Sequence, residues 1–164
     1  MGGMRHRLRP VGLDYVRTAP LRLVFVAETT APPEAVFQAL ADVENWPRWY
    51  RQVAAARSAD DGKGREIRLK GGTRFVETVM AADPAECYAY RVDRTNAPGL
   101  RALLEEWRLM PSPSGTGSVV RYTFAVDGVA PLRGALRLLR PGLRRAFRDA
   151  VRALDRRLAD RAAD

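Results

Sequence analysis

The chain has 164 residues, of which 28 are lysine or arginine and 19 are aspartate or glutamate, so its formal net charge is +9. This length suits one domain with its own hydrophobic core, and no apolar run approaches the roughly 20 residues that a transmembrane helix needs. A single cysteine and a single histidine exclude an internal disulfide, a cysteine-based metal cluster and a nucleophilic site built on histidine. We expect a cytoplasmic protein that needs no metal and no cofactor.

The chain divides at about residue 20. Residues 1–19 carry several arginines without a regular pattern, which predicts an irregular basic N-terminal arm, and residues 20–164 are expected to form a single domain. Leu21, Leu23 and Phe25 alternate with the residues between them. This period of two predicts a largely buried first strand.

Two short helices are predicted after this strand. Pro32 and Pro33 suit the first turn of a helix, and Phe37 and Leu40 lie on its apolar side. The pattern breaks at residues 42–45, and a second short helix follows.

Three large aromatic side chains then occur within five residues. They are Trp46, Trp49 and Tyr50, with Pro47 between the two tryptophans. We expect them to close one end of an internal cavity or to pack on the first strand. Because Pro47 separates the tryptophans, one is predicted to point inward and the other toward the mouth of the cavity.

The central part of the chain changes to the period of strands. Six short runs with alternating or β-rich character are separated by turn sequences, and together they predict an antiparallel meander. The connection at residues 93–103 is longer than a hairpin needs, so we interpret it as a flap over the cavity. The six predicted strands cover residues 51–59, 64–70, 73–83, 86–94, 103–111 and 117–128.

The C-terminal part returns to the helical period. After Pro131, leucines and other apolar residues recur every three or four positions, and Pro141–Gly142 is expected to kink this helix or split off its first turns. Its many arginines are predicted to form the solvated face opposite the core. Binding of that face to an anionic surface or to nucleic acid is the alternative, although we expect no nucleic-acid partner. A monomer and a homodimer both stay open.

The order of the predicted elements defines the fold class. One strand, two short helices, six strands and one long helix indicate an α+β protein with a curved, seven-stranded antiparallel sheet. The sheet must wrap around the long C-terminal helix to bury its apolar stripe. A cavity is expected where the curved sheet and the helix do not fully meet.

Several segments carry a resemblance to a known family. The runs "APPEAVFQALADVENWPRWY", "GTRFVETVMAADPAECYAYRV", "EEWRLMP" and "GSVVRYTF", followed by the long final helix, resemble the START-like (SRPBCC) superfamily, and within it the polyketide cyclase/dehydrase and lipid-transport group. The resemblance covers roughly residues 20–160. It implies a helix-grip fold with a deep apolar cavity that holds lipids, polyketides or similar molecules, and in some members a cyclisation or dehydration reaction.

The alternation along the strands predicts which side chains line the cavity. The faces rich in aromatic residues are expected to point inward, and the tyrosine hydroxyls among them either orient a polar group of a ligand or reach the rim. The predicted lining consists of Trp46, Trp49, Phe75, Tyr88, Tyr90, Trp107, Tyr122, Phe124, Leu143 and Phe147.

Two carboxyl groups share these faces. Glu77 lies on the face of Phe75, and Glu105 on the face of Trp107. A carboxyl group in an apolar pocket has a raised pKa and suits general acid/base catalysis. The alternative is that one or both carboxylates lie at a strand end and form an ion pair with an arginine such as Arg74, Arg91 or Arg121.

These observations lead to two hypotheses of function. The first is a protein that binds a hydrophobic small molecule, either lipid or polyketide-like, in its cavity. The second is a metal-independent cyclase or dehydratase that uses Glu77 or Glu105 as the acid or base.

Overall fold

The computed structural model describes residues 5–164, and these residues form eight strands and four helices. Two short 3-10 segments, Val43–Arg48 and Asp60–Gly62, complete the secondary structure. The strands are β1 (His6–Arg7), β2 (Leu21–Thr29), β3 (Val53–Ala59), β4 (Gly64–Leu69), β5 (Arg74–Asp83), β6 (Cys87–Thr95), β7 (Leu100–Pro111) and β8 (Ser118–Gly128). The helices are α1 (Tyr15–Thr18), α2 (Pro33–Ala41), α3 (Ala130–Leu138) and α4 (Arg140–Ala163).

The sheet is antiparallel throughout, and its long strands lie in the order β2-β8-β7-β6-β5-β4-β3. Breaks in register interrupt the pairing of β3 with β4, of β5 with β6 and of β7 with β8. Such bulges bend a strand and increase its twist. The result is a curved sheet against which the long C-terminal helix packs, which confirms the predicted α+β helix-grip fold.

The N-terminal arm differs from the prediction, and residues 1–4 of it lie outside the described residues. The arm is not irregular: His6 pairs with Thr95 of β6, and α1 forms a helical turn with Tyr15 buried. The pairing of β6 with β7 ends at Arg91, and the arm enters the gap beyond that point. There the amide of Leu8 donates to the carbonyl of Asp93 over 2.9 Å. The arm therefore adds a short eighth strand to the predicted seven.

The two short helices after the first long strand are confirmed. Pro33 stands at the start of α2, and the 3-10 segment Val43–Arg48 follows. Asp155 of α4 accepts hydrogen bonds from the backbone amides of Thr30 (3.0 Å) and Ala31 (3.1 Å), just before α2. These bonds join the long helix to the end of β2.

The predicted split of the C-terminal helix is also confirmed. Helix α3 ends at Leu138, and Pro141 stands in the first turn of α4, where its missing amide proton costs no hydrogen bond. Helix α4 buries a stripe of four residues: Phe147, Ala150, Val151 and Leu154. No helix within residues 5–164 is both long enough and apolar enough to cross a bilayer.

The predicted flap over residues 93–103 is wrong. Strand β6 continues to Thr95 and β7 begins at Leu100, so only four residues connect them. Gly99 has φ +81°, a left-handed conformation that glycine adopts without strain. Leu100 and Leu103 are buried in the core as strand residues.

Candidate ligand-binding cavity

The concave face of the sheet and helix α4 enclose a cavity of about 230 Å³. Its lining is mainly apolar and aromatic. Strands β2, β4, β5, β6, β7 and β8 contribute to it, together with the Trp46–Val53 turn and the first half of α4. This is the place where the curved sheet and the helix separate.

Most of the residues predicted to line the cavity do so. Both carboxyl groups are among them, so the alternation along β5 and β7 identified the correct faces. The predicted residues at the cavity are Trp46, Phe75, Glu77, Tyr90, Glu105, Tyr122, Phe124, Leu143 and Phe147.

Three predicted residues lie beside the cavity, in the core on the same side of the sheet, and do not line it. Trp107 is buried with its ring 4.7 Å from that of Tyr122 and 5.8 Å from that of Phe147 on α4, and Tyr88 packs edge-on against Phe37 of α2. Trp49 is buried beside Trp46. These side chains support the lining residues, because Trp107 shares its strand face with Glu105 and Tyr88 shares its strand face with Tyr90.

The two tryptophans of the aromatic turn do not point in different directions. Trp46 and Trp49 are 2% and 3% exposed, and their ring centroids are 5.0 Å apart. The segment that carries Trp46 is a 3-10 helix, in which residues three apart lie on the same side. Pro47 therefore does not separate them. Trp46 lines the cavity, and the Tyr50 ring stacks on it at 6.0 Å.

Arg65 lines the cavity but was not among the residues predicted from the sequence. In β4, Arg65, Ile67 and Leu69 share one face, and all three line the cavity. The alternation of "GREIRL" already contained this signal, since the apolar pair at 67 and 69 identifies the inner face and residue 65 lies on it. Other lining residues not predicted are Leu23, Phe25, Gln52, Val53 and Ala146, whereas Tyr50 lies at the cavity as the aromatic turn predicted.

Arg65 and Glu77 form a buried ion pair. They are direct register partners across β4 and β5, with Nε of Arg65 2.8 Å from Oε2 of Glu77 and the two side chains 1% and 2% exposed. The predicted ion-pair alternative for Glu77 thus has the correct chemistry but a different partner. The two groups are not aligned as a hydrogen bond, and within residues 5–164 Nη1 of Arg65 has no hydrogen-bond partner.

Aromatic rings surround the Arg65 guanidinium. Its central carbon lies 3.8 Å from the ring centroid of Tyr90, 4.1 Å from that of Trp46 and 5.6 Å from that of Tyr88. The faces of these rings carry partial negative charge and attract the cation. Arg65 is therefore held by the Glu77 carboxylate and by the rings together, at a fixed position in the wall of the cavity.

Glu105 lies among tyrosine hydroxyl groups. It is opposite Tyr90 in the pairing of β6 with β7, and its carboxylate accepts a hydrogen bond from the Tyr122 hydroxyl. Trp107 Nε1 donates to the Tyr90 hydroxyl over 3.1 Å. Burial and the Glu105 charge raise the pKa of both Tyr90 and Tyr122 well above the ordinary value, so both hydroxyls stay protonated donors.

Arg65, Glu77 and Glu105 affect one another's protonation. Burial raises the pKa of Glu77 to about 8, while the Arg65 guanidinium opposes the rise and the Glu105 charge adds to it. Burial also raises the pKa of Glu105, against the hydrogen bond from Tyr122 and the charge of Arg65. Burial thus favours the protonated form of both carboxyl groups, and the charge of Arg65 favours the ionised form of both.

No group of three or more His, Cys, Asp or Glu side chains is arranged for a metal ion in the described part of the chain.

The fold and its cavity define the class of protein. A curved antiparallel sheet closed by a long C-terminal helix over an apolar cavity is the helix-grip architecture of START-like proteins. The family model for polyketide cyclase / dehydrase and lipid transport proteins matches residues 21–159, and the chain belongs to this family.

Similar proteins support the same fold. An uncharacterised protein of Mycobacterium tuberculosis is 28% identical over 151 residues, which are 89% of each chain. The XoxI protein of Bacillus cereus is 17% identical with a TM-score of 0.70, and the match covers 85% of this chain and 96% of that one. A START superfamily protein from Mycobacterium smegmatis is 13% identical with a TM-score of 0.68, over 85% and 97% of the chains. The Zhui aromatase/cyclase of a Streptomyces species is 18% identical with a TM-score of 0.67, over 87% and 95%.

Proposed function

We propose that the protein is a cytoplasmic carrier that binds a compact, uncharged hydrophobic molecule, lipid or polyketide-like, with one polar end at Glu105. The observation on which this rests is a cavity with an almost wholly apolar lining and one compact cluster of polar groups, Arg65, Glu77, Glu105 and two tyrosine hydroxyls. Pockets of this composition bind apolar ligands and use the few polar groups to orient them.

The size of the cavity limits the ligand. An engineered apolar cavity of roughly 150 Å³ accepts benzene, and the cavity here is about 230 Å³. One or two rings, or a short branched chain, fit this space. A long acyl chain requires the cavity to open.

The charges limit the polar end of the ligand. Arg65 is already compensated by Glu77 at 2.8 Å, and burial disfavours a further negative charge at Glu105. A ligand carboxylate would add an uncompensated negative charge to an apolar space, which is costly. A ketone or hydroxyl group, in contrast, can form a hydrogen bond with the tyrosine hydroxyls or with Glu105 without adding charge.

The alternative function is a cyclase or dehydratase. The family includes polyketide cyclases and dehydrases, and one structural neighbour is an aromatase/cyclase. The specific observation in its favour is the buried Glu105 carboxyl group, which accepts a hydrogen bond from Tyr122 and whose pKa burial raises, as suits a general acid or base. Glu105 is the group that would carry out this step, with Glu77 and Arg65 fixing its charge state.

Two experiments test the carrier. Native mass spectrometry of the protein purified from its own host is expected to show a bound, uncharged, apolar molecule. In solution, naphthol is expected to bind, and naphthoate, which differs in its carboxylate, is expected to bind at least about tenfold more weakly. Tighter binding of naphthoate would contradict the proposed selectivity, and binding of neither compound would contradict the carrier.

A variant that fills the cavity provides the matched control. Ala146 lines the cavity from α4, whereas Ala159 is exposed on the same helix. We expect Ala146→Leu to weaken naphthol binding about tenfold or more, because the added carbon atoms occupy the ligand space. Ala159→Leu is expected to bind as the wild type does.

A further inference from the structure

Two leucines are exposed at the corner between α3 and α4. Leu138 is 84% exposed and Leu139 is 59% exposed. Single surface leucines are ordinary, but these two are adjacent and stand where one helix ends and the next begins. We define the α3–α4 corner as residues 130–148.

The same corner concentrates positive charge. It contains six arginines and no acidic residue. Arg133 lies 4.0 Å from Asp127, but the other five form no ion pair with any residue that the structure describes. All five are exposed. They are Arg137, Arg140, Arg144, Arg145 and Arg148.

We propose that the α3–α4 corner docks on an anionic lipid surface, with Leu138 and Leu139 inserted between the lipids and the arginines at the headgroups. Basic residues around exposed apolar side chains are the pattern by which helices bind at a bilayer interface. Positive charges next to an anionic leaflet add to the attraction. A nucleic acid would pair with the arginines but would leave the two leucines in water, which favours the lipid surface.

The position of the corner gives docking a consequence for the cavity. Leu143, Ala146 and Phe147 line the cavity, and Leu143 is one helical turn after Leu139. A bilayer at the corner therefore lies next to the α4 wall of the cavity. Docking would let an apolar ligand pass between bilayer and cavity with little exposure to water. The docking itself does not depend on which ligand the cavity holds.

The experiment measures cosedimentation of the full chain with vesicles. Vesicles of equal parts phosphatidylglycerol and phosphatidylcholine are expected to bind the protein at least about tenfold more tightly than pure phosphatidylcholine vesicles, and added salt is expected to weaken binding. Equal binding to both vesicles, or binding to neither, would overturn the proposal.

Matched variants separate the two parts of the surface. Leu138→Ser with Leu139→Ser is expected to reduce vesicle binding, whereas Val26→Ser with Met110→Ser, two exposed apolar residues on strands, is expected to leave it unchanged. Arg140→Gln with Arg144→Gln is expected to reduce it more than Arg101→Gln with Arg121→Gln, which removes the same charge from strands β7 and β8. Equal losses in both arginine variants would show that net charge alone acts, and that result would contradict the corner as a docking site.

A competition measurement tests nucleic acid as the alternative partner of this surface. Duplex DNA is expected to compete weakly and without sequence preference. Two results together would show that the surface is a nucleic-acid site and that the proposal is wrong. The leucine variant would bind vesicles as the wild type does, and a low concentration of DNA would displace the protein from the vesicles. All variants sit at exposed positions, and thermal unfolding is used to verify that they fold.

Discussion

Arg65 and Glu77 face each other across β4 and β5, with the guanidinium Nε 2.8 Å from the carboxylate Oε2 and both side chains almost fully buried. Burying two charges has a large desolvation cost that only close pairing offsets. The aromatic rings around Arg65 offset part of the remainder. This pair fixes the electrostatics of the cavity, and the predictions about stability and about pH depend on it.

Replacing one partner of this ion pair is expected to destabilise the protein more than replacing both partners. Arg65→Met leaves two carboxyl groups without their positive partner, and we expect the free energy of unfolding to fall by roughly 3–5 kcal/mol. The double variant Arg65→Met with Glu77→Leu has no uncompensated charge and is expected to recover most of this loss. Urea unfolding measures both. If the double variant is as unstable as the single one, packing of Arg65 on the rings dominates instead.

A surface ion pair on the neighbouring strand provides the control. Arg57 and Glu66 are also register partners, and their charged atoms are 2.7 Å apart, but both side chains are exposed. Arg57→Met is expected to cost less than about 1 kcal/mol, because water already screens this pair.

Glutamine substitutions distinguish the carrier from the enzyme. For a carrier, Glu77→Gln and Glu105→Gln preserve the shape of the cavity and are expected to change the affinity for the native ligand little. An acid/base enzyme would lose roughly 10²–10⁴-fold in turnover from Glu105→Gln, with binding retained. We expect the carrier result. Glu106→Gln is the control, since Glu106 points to the other face and pairs with Arg108. Turnover that disappears in only one of the two cavity variants would establish the enzyme.

The carboxyl pair also predicts how stability depends on pH. Folding raises the pKa of these carboxyl groups, so they contribute stability in their protonated form. This contribution is fully present below about pH 4.3, the ordinary pKa of glutamate. It is lost as pH rises through the raised pKa, which is about 8 for Glu77. The advantage of the wild type over a Glu77→Gln, Glu105→Gln double variant should therefore shrink as pH rises from about 5 to 8. Urea unfolding of both proteins at several pH values measures this difference. A difference that grows with pH would contradict the raised pKa of these two carboxyl groups.

Trp107 is expected to stabilise the cavity from its place beside the lining residues. Its indole supports Tyr90 by a hydrogen bond and contacts the ring of Tyr122. Trp107→Ala should lower the free energy of unfolding by roughly 3–5 kcal/mol and also weaken ligand binding, because both tyrosines lose their support. Trp107→Phe keeps most of the packing and loses the hydrogen bond, so a smaller loss is expected. Denaturant unfolding and naphthol titration measure the two effects. If Trp107→Ala leaves binding unchanged, the cavity wall does not depend on this contact.

Much of the fold follows from local patterns in the sequence. The alternation along β5, β7 and β8 indicated the strands and brought Glu77, Glu105 and Tyr122 to the inner face. Pro141 marked the division between α3 and α4. These features depend on the period of the backbone and on the φ angle of proline, which act over a few neighbouring residues.

The tertiary structure decided the rest. His6 becomes part of a strand only because β6 and β7 separate beyond Arg91 and leave an edge for it. Trp107 does not line the cavity because the rings of Trp46, Tyr122 and Phe147 pack around it. Arg65 lies inside because its strand has Ile67 and Leu69 on the same face, and it stays charged there because Glu77 and the rings of Trp46 and Tyr90 come from other segments. A buried charge is stable only when distant parts of the chain supply its partners, and no local pattern contains that information.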